Sequence, residues 1–468
     1  MVDILGIVVA LAPFLVAVVA LVLLRRSALW AGFAALGAAL AGAILWPELD
    51  ALRVPGALLD GAGTSARVLY VLFGGLLLYN LLSAGEAVEA VSRYLGRLEP
   101  EKEALAAGVV VGAAPFFESV TGFGVAVVIS APILLAAGFS PLKAAVLASW
   151  GQCAVPWGAL GVGTVIGADL AGMSFRDLST ASAYLNLPLY PIYGVAAVAL
   201  AGGIGGVRRH GPETVLLGII AGAGTLLTSL YLAPELSGAV GGLCATAAFL
   251  ARRWRRATGV PGRALLPYGF LLVLLAVASG VSVVREALER LGPIFTGPGL
   301  PLLLAAGFTA VVFGIGAAET GRAVRGTVAQ WLPTAGAVLT FVLAGEVVAG
   351  SGAAALLASA AGSLGPIYPA VSPVLGALGG ALTGSNAASN ALFMPLQVEA
   401  ARGVGVPVEI TAAVQNVAGS HASLLAPQRM VLAATAVGLL GREGEILRYA
   451  MAPVAVSIVI LAGIGLLW

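Results

Sequence analysis

Apolar stretches of about 20 residues, the length an α-helix needs to cross a hydrocarbon core, recur along the whole of this 468-residue chain. They run from Ile4 to Leu24, Ala28 to Trp46, Val68 to Leu82, Tyr184 to Gly206, Val215 to Ala233, Leu236 to Ala251, Ala264 to Val283, Leu300 to Ala317, Thr327 to Val348 and Ala450 to Trp468. With 60% hydrophobic and only 10% charged residues, the chain has too little polar surface to cover a soluble globule of this size. Lipid offers no hydrogen-bond partners, so spans of this kind satisfy their backbone internally, as helices. The expectation is an all-α, multi-pass protein of the cell (inner) membrane with about 12 transmembrane helices and the lipid bilayer as its solvent. The N-terminal run is too long, and too poor in preceding basic residues, for a cleaved signal peptide and is read as the first helix. Cys153 and Cys244 have no metal-ligand spacing, and no phosphate-binding loop motif is present, so no metal, cofactor or ATP-driven pump is expected. A net charge of +2 gives no reason to expect nucleic acid.

Two blocks, roughly 104–174 and 366–441, depart from this pattern because Gly, Pro, Ser and Asn interrupt their apolar runs. Their densest polar strings are F-F-E-S-V-T-G-F-G, Phe116 to Gly124, and L-T-G-S-N-A-A-S-N-A-L-F, Leu382 to Phe393. Backbone that breaks its helix at membrane depth is tolerated only where it is buried in protein or lines a cavity. The blocks are therefore read as broken or re-entrant helical hairpins around a solute site.

Basic residues gather at Arg25–Arg26, at Arg93, Arg97 and Lys102, at Arg208–Arg209, from Arg252 to Arg263, at Arg322 and Arg325, and at Arg442 and Arg448. The Glu48–Asp60 and Pro234–Ser237 loops are poor in them. The positive-inside bias makes the rich loops cytoplasmic and places Glu86 inside and Glu346 outside. Those two glutamates mark a long-range echo. Ala84-Gly85-Glu86 and Ala344-Gly345-Glu346 each end an apolar helix; Thr121-Gly122 follows 37 residues after Ala84, and Thr383-Gly384 follows 39 after Ala344. Further on, Pro132 and Pro395, Pro141 and Pro407, and Gln152 and Gln415 recur in the same order. Short Ala/Gly strings repeat by chance in such a composition, but the order of the elements and their predicted inversion agree independently. The reading is two inverted-topology repeats, 1–207 and 264–468, joined by linker helices at 208–263.

Three of the five asparagines, Asn386, Asn390 and Asn416, fall in the second block, and Gln152, Gln415 and Gln428 lie in corresponding parts of the two blocks. Buried amides are unfavourable without partners, so each either satisfies broken-helix backbone or binds something; the cluster as a whole favours binding. Glu118, a carboxylate inside an apolar segment, is the candidate for proton coupling, with a helix-capping or Arg-paired role as its alternative. His421 is either a proton relay or a satisfied core histidine. His210, next to Arg208 and Arg209, reads as a solvated loop residue. No Lys or Arg lies within either break, so the field for an anion is expected from helix N-termini, with hydroxyls from Ser119, Thr121, Thr383, Ser385 and Ser389 nearby. Gly122, Phe123, Gly124 and Gly384 complete the candidate contacts. Arg429, the nearest cation downstream, reads as structural.

On F-F-E-S-V-T-G-F-G, on A-P-I-L-L-A-A-G-F-S-P-L-K-A-A from Ala131 to Ala145, on L-T-G-S-N-A-A-S-N-A-L-F and on Ala426-Pro427-Gln428, the sequence resembles the L-lactate permease family of proton-coupled carriers of lactate and related 2-hydroxy monocarboxylates. The resemblance covers most of the chain. It implies inverted repeats with re-entrant hairpins, symport of a small carboxylate with H⁺, Glu118 as the protonatable group, and Thr121, Gly122, Ser385, Asn386 and Asn390 around the substrate. Asn386 stands where the family commonly has an acidic residue and Ser423 near where it commonly has a lysine, so the chain lacks both members of a possible ion pair. It is also shorter than typical members. The leading expectation is a secondary transporter carrying a small monocarboxylate such as L-lactate or glycolate by alternating access. The alternatives are a Na⁺-coupled organic anion carrier of dicarboxylate type and, more remotely, a polytopic membrane enzyme, for which no nucleophile-base pair is evident. The oligomeric state stays open, a homo-oligomer included.

Overall fold

The computed structural model describes residues 4–122, 124–153, 155–256, 258–292, 294–362 and 365–467. Every regular element among them is helical, and the apolar runs picked out above fall on helices. Large apolar side chains such as Leu59, Ile204, Val311 and Val459 remain exposed on the outer surface, where lipid and not water is the expected contact.

By length and hydropathy, eight described helices suffice to cross a membrane, and the pair Pro141–Trp150 and Val155–Ala171, bent by 64°, makes a ninth. That measure does not reach the expected count of about 12, for two physical reasons. The apolar helices Leu5–Leu21, Val125–Ala136 and Gly299–Phe313 are short. The 43-residue segment Leu189–Tyr231 would be about 65 Å long if straight, but it reverses at Gly203 (φ 63°). Its two arms are antiparallel, with Gly218 against Pro191 and Gly222 against Leu187. The segment therefore supplies two of the expected runs.

Two long helices, Val54–Ala84 and Ala317–Gly350, pack side by side through the middle of the chain. The first begins earlier than its apolar run, so Asp60 belongs to a helix and not to a loop. Arg67, on the same helix, donates to Asp169 at 2.7 Å, with Thr64 beside it at 2.8 Å from the same oxygen, so charge is accommodated on an otherwise apolar element. Each long helix is followed by a short one, Ala87–Leu98 or Ala353–Gly362, and then by a helical hairpin.

The first hairpin consists of Lys102–Thr121, which carries a π-turn at Val109–Ala113, and Val125–Ala136. Lys102 Nζ donates to Gly138 O at 2.6 Å and closes its base. The second consists of Tyr368–Thr383 and Asn386–Val404. Tyr368 and Ser372 on one arm donate to Gln397 Oε1 on the other at 2.6 and 2.8 Å. Each descending arm ends at Thr-Gly. Gly122 (φ 70°) and Gly384 (φ 63°) take left-handed conformations that a Cβ would strain, which is why both tips carry glycine.

Candidate functional site

The two hairpin tips meet at the N-terminus of the helix Pro427–Ala436, and the residue that joins them is Arg429. Its Nε donates to Gly384 O of the second tip at 3.2 Å, and its Nη1 lies 3.7 Å from Glu118 Oε1 of the first. The guanidinium and the carboxylate are both buried, at 10% and 1% side-chain exposure, so neither is screened by bulk water. A Cβ on Gly124 would come within 2.5 Å of Arg429 Nη1, and one on Gly384 within 2.1 Å of Gln428 Nε2, so the glycines also permit this close approach.

Around this junction lies a cavity of about 430 Å³. Glu118, Gly122, Thr383, Gly384, Ser385, Asn386, Gln428 and Arg429 all face it, together with apolar side chains such as Leu72, Val162, Val338 and Leu432. A few convergent polar groups on an apolar wall is the usual make-up of a small-molecule site. Ala159 on its wall belongs to the turn Ala159-Leu160-Gly161, whose φ values of 49°, 57° and 83° are all left-handed. For Ala159 and Leu160 this conformation costs roughly 1–2 kcal/mol each, strain that the surrounding packing holds in place.

The two tips present opposite chemistry. At the first, the free N–H groups that begin Val125–Ala136 are already engaged: Gly124 N lies 3.1 Å from both oxygens of Glu118, and Ala126 N lies 3.4 Å from Oε2. At the second, Ser385 caps the helix by accepting from Ala388 N at 3.3 Å, while the N–H groups of Asn386 and Ala387 in the first turn remain unpaired among the described residues, on the cavity side. With the helix dipole and Arg429 Nη1, a buried atom without a hydrogen-bond partner, they make a positive lobe suited to a carboxylate. Arg429, weighed from sequence as a structural cation, thus both pins the tips and supplies the cation that neither break contains.

The remaining candidates lie behind this surface. Asn416 Oδ1 accepts from Asn386 and Asn390, each at 2.8 Å; its Nδ2 donates to Ser182 at 2.8 Å and Thr164 at 3.0 Å. Asn390 also donates to Gly163 O at 2.9 Å, so this network ties the second hairpin to the strained wall. Gln415 links Ser389 and Gln397, both on the second arm of the hairpin, to the neighbouring helix Val408–Ser423. Thr121 donates back to Phe117 O at 2.7 Å. Ser119 is buried against Gly238 and Trp157 with its hydroxyl unpaired, and Gln152, in the turn after Pro141–Trp150, is fully buried with both side-chain polar atoms unpaired. His421 Nε2 lies 2.8 Å from Asn186 Oδ1, and its ring meets Tyr193 edge-on at 5.1 Å; it does not line the cavity. Phe123 lies outside the described residues. His210 is a correction: it is buried within a helix, not solvated in a loop, and its Nε2 lies 3.0 Å from Glu101.

Sequence reasoning did not single out Gln397, Asn186, Thr164 or Ser182. The rarity of amides carried a signal for the first two; the hydroxyls are lost among many others. Among the described residues no cluster of His, Cys, Asp and Glu is arranged to hold a metal ion.

The L-lactate permease family profile matches residues 6–261 and 270–467. The chain is 26% identical to an L-lactate permease of Streptococcus iniae, over 72% of this chain and 78% of that protein. It is 26% identical to the glycolate permease GlcA of Escherichia coli K12, over 82% and 81%, and 23% identical to an L-lactate permease of Bacillus subtilis, over 94% and 92%. In fold it is similar to the crystal structure of the YdaH transporter of Alcanivorax borkumensis, with a TM-score of 0.50 at 17% identity, covering 90% of this chain and 89% of that one.

Proposed function

Because the chain belongs to the L-lactate permease family, a family of transporters and not of enzymes, we propose that it carries a small monocarboxylate such as L-lactate or glycolate across the cell membrane together with H⁺, by alternating access. The observation that carries this reading is the Glu118–Arg429 pair at the meeting of the two tips. In the ion-paired state, Glu118 holds the cation that an incoming carboxylate needs. Protonation of Glu118 removes its negative charge, and the substrate carboxylate then takes its place against Arg429 Nη1 and the free N–H groups of Asn386 and Ala387. Proton and anion enter together because each makes room for the other, and a buried charge is never left without its counter-charge. The apolar wall accepts the short carbon chain. Hydroxyl-bearing Ser385 and amide-bearing Asn386 are positioned to recognise a 2-hydroxy group.

The inverted-repeat division, 1–207 and 264–468 around a 208–263 linker, fits this scheme. Lys102 holds the base of the first hairpin in the arginine-rich, cytoplasmic part of the chain. The path into the second hairpin starts near Ser351, whose carbonyl accepts from Asp50 N at 3.0 Å in the arginine-poor loop. The two hairpins then reach the midplane from opposite faces, and Arg429 touches both tips, so relative motion of the halves opens the cavity to one side at a time.

The test uses the protein in sealed vesicles. Wild type accumulates lactate or glycolate down an imposed pH gradient without Na⁺ and takes up protons on substrate addition. Glu118→Gln exchanges internal for external substrate but does not accumulate it. Uptake that requires Na⁺ and ignores the pH gradient overturns the proton reading in favour of a Na⁺-coupled carrier, and wild-type accumulation by Glu118→Gln removes Glu118 from the coupling.

A further inference from the structure

A second cavity, of about 330 Å³, lies between the short helix Ala87–Leu98 and the segment following the helix Ser237–Arg252. Arg93, Tyr94, Arg97, Arg256, Thr258 and Gly259 line it. Three guanidiniums around one concavity repel one another, and the local carboxylates engage only that of Arg256. Glu99 is buried and already paired with Arg253, with Arg256 at 3.4 Å, and Glu213 is shared by Arg252 and Arg253. Arg93 and Arg97, one helical turn apart, have no carboxylate partner among the described residues, and both are exposed. The hydroxyl of Tyr94, between them in sequence, is a buried oxygen with no hydrogen-bond partner. The cavity thus holds unpaired planar donors and positive charge, the chemistry that takes a phosphate group.

Its position indicates where that phosphate comes from. The helix Ala87–Leu98 is amphipathic: Ala87, Val88, Val91, Leu95 and Leu98 are buried, while Arg93 and Arg97 face outward. It directly follows the long helix Val54–Ala84, which is long and apolar enough to cross a membrane, and an amphipathic helix with basic residues on its polar face suits the headgroup level. Basic pockets between spans at the cytoplasmic face are the setting in which anionic headgroups bind. We propose that this cavity is a phosphate site occupied by the headgroup of an anionic phospholipid of the cytoplasmic leaflet, distinct from the transport cavity and stabilising the base of the first hairpin.

The full-length protein in nanodiscs of phosphatidylcholine, with or without a minor fraction of phosphatidylglycerol, provides the test by thermal unfolding and by lipid retention in native mass spectrometry. Phosphatidylglycerol should raise the melting temperature and be retained. Arg93→Gln/Arg97→Gln should abolish that increment, leave the melting temperature in pure phosphatidylcholine unchanged, and weaken lipid binding about thirtyfold, two arginines at roughly 1 kcal/mol each. Equal stabilisation of wild type and double variant by phosphatidylglycerol, or no stabilisation at all, overturns the site. Protection by inorganic phosphate in pure phosphatidylcholine, without any effect of phosphatidylglycerol, overturns the lipid assignment.

Discussion

A double-mutant cycle on Glu118 and Arg429 tests the central contact quantitatively. Two unit charges 3.7 Å apart interact by about 4.5 kcal/mol at the effective dielectric constant of roughly 20 that suits protein sites. Breaking a buried pair from one side typically costs about 3–5 kcal/mol, because the remaining charge keeps its desolvation penalty without its partner. Arg429→Met should therefore destabilise the protein by about that amount, and it also removes the Nε donor to Gly384 O. Glu118→Gln should be milder, since the amide oxygen can still accept from Gly124 N. The double variant Glu118→Gln/Arg429→Met carries no unpaired charge at the tips and should be more stable than Arg429→Met alone. The expected coupling energy is about 3–4 kcal/mol, measured by reversible unfolding in detergent micelles with the same variants checked for folding by circular dichroism. Additive single effects, with a coupling below about 1 kcal/mol, would show that the two charges are independent, and the exchange of partners at Arg429 would then have no basis.

Three further outcomes follow from other contacts. Asn416→Leu leaves the Asn386 amide and the Ser182 hydroxyl without a partner, while Asn390 keeps Gly163 O and Thr164 keeps Pro156 O; at roughly 1–3 kcal/mol for each of the two orphaned groups, unfolding should show a loss of about 2–6 kcal/mol. Asn386→Ala should raise the dissociation constant for substrate by about fivefold, one lost neutral hydrogen bond to the 2-hydroxy group at about 1 kcal/mol, with little loss of folded protein; unchanged affinity in a binding titration returns Asn386 to a purely structural role. Gly384→Ala places a Cβ 2.1 Å from Gln428 Nε2 in a left-handed backbone, so transport should fall below detection although the protein still inserts, as judged by uptake and by yield in the membrane fraction.

How far the sequence carried depends on which interactions are local. Helices were legible because hydropathy and length are properties of a single segment: Ala28–Leu45 and Gly262–Gly280 begin and end within a few residues of their apolar runs. Both tips were legible because glycine and small polar residues stand out against an apolar background. Boundaries failed where a charge is neutralised from another element. Val54–Ala84 looks shorter in sequence than it is because Arg67 finds Asp169 more than one hundred positions away, and His210 looks solvated because its partner Glu101 precedes a distant helix. The reversal at Gly203 has no hydropathy signal of its own, although the two apolar runs flanking it match its two arms.

The site shows the same limit more sharply. Glu118 stands out because a carboxylate in an apolar run is conspicuous wherever it sits, whereas Arg429 lies in the first turn of an ordinary short helix and carries no comparable signal. What distinguishes it is a relation among three segments: Gly124, whose missing side chain makes room for its guanidinium; Gly384, whose carbonyl fixes that guanidinium; and Glu118, whose carboxylate faces it. The sequence divided the labour between an acidic first break and an amide-rich second one. The geometry adds a cation common to both, and this changes what the asymmetry means. Glu118 draws its N–H donors from its own tip, whereas the second tip leaves its donors free. The two halves therefore differ in occupancy: one positive lobe is filled by the protein's own carboxylate and the other is open to a foreign one, with Arg429 shared between them. In the proposed cycle the anion binds where an internal carboxylate already marks the geometry, and neutralising that carboxylate with a proton is the step that admits the substrate.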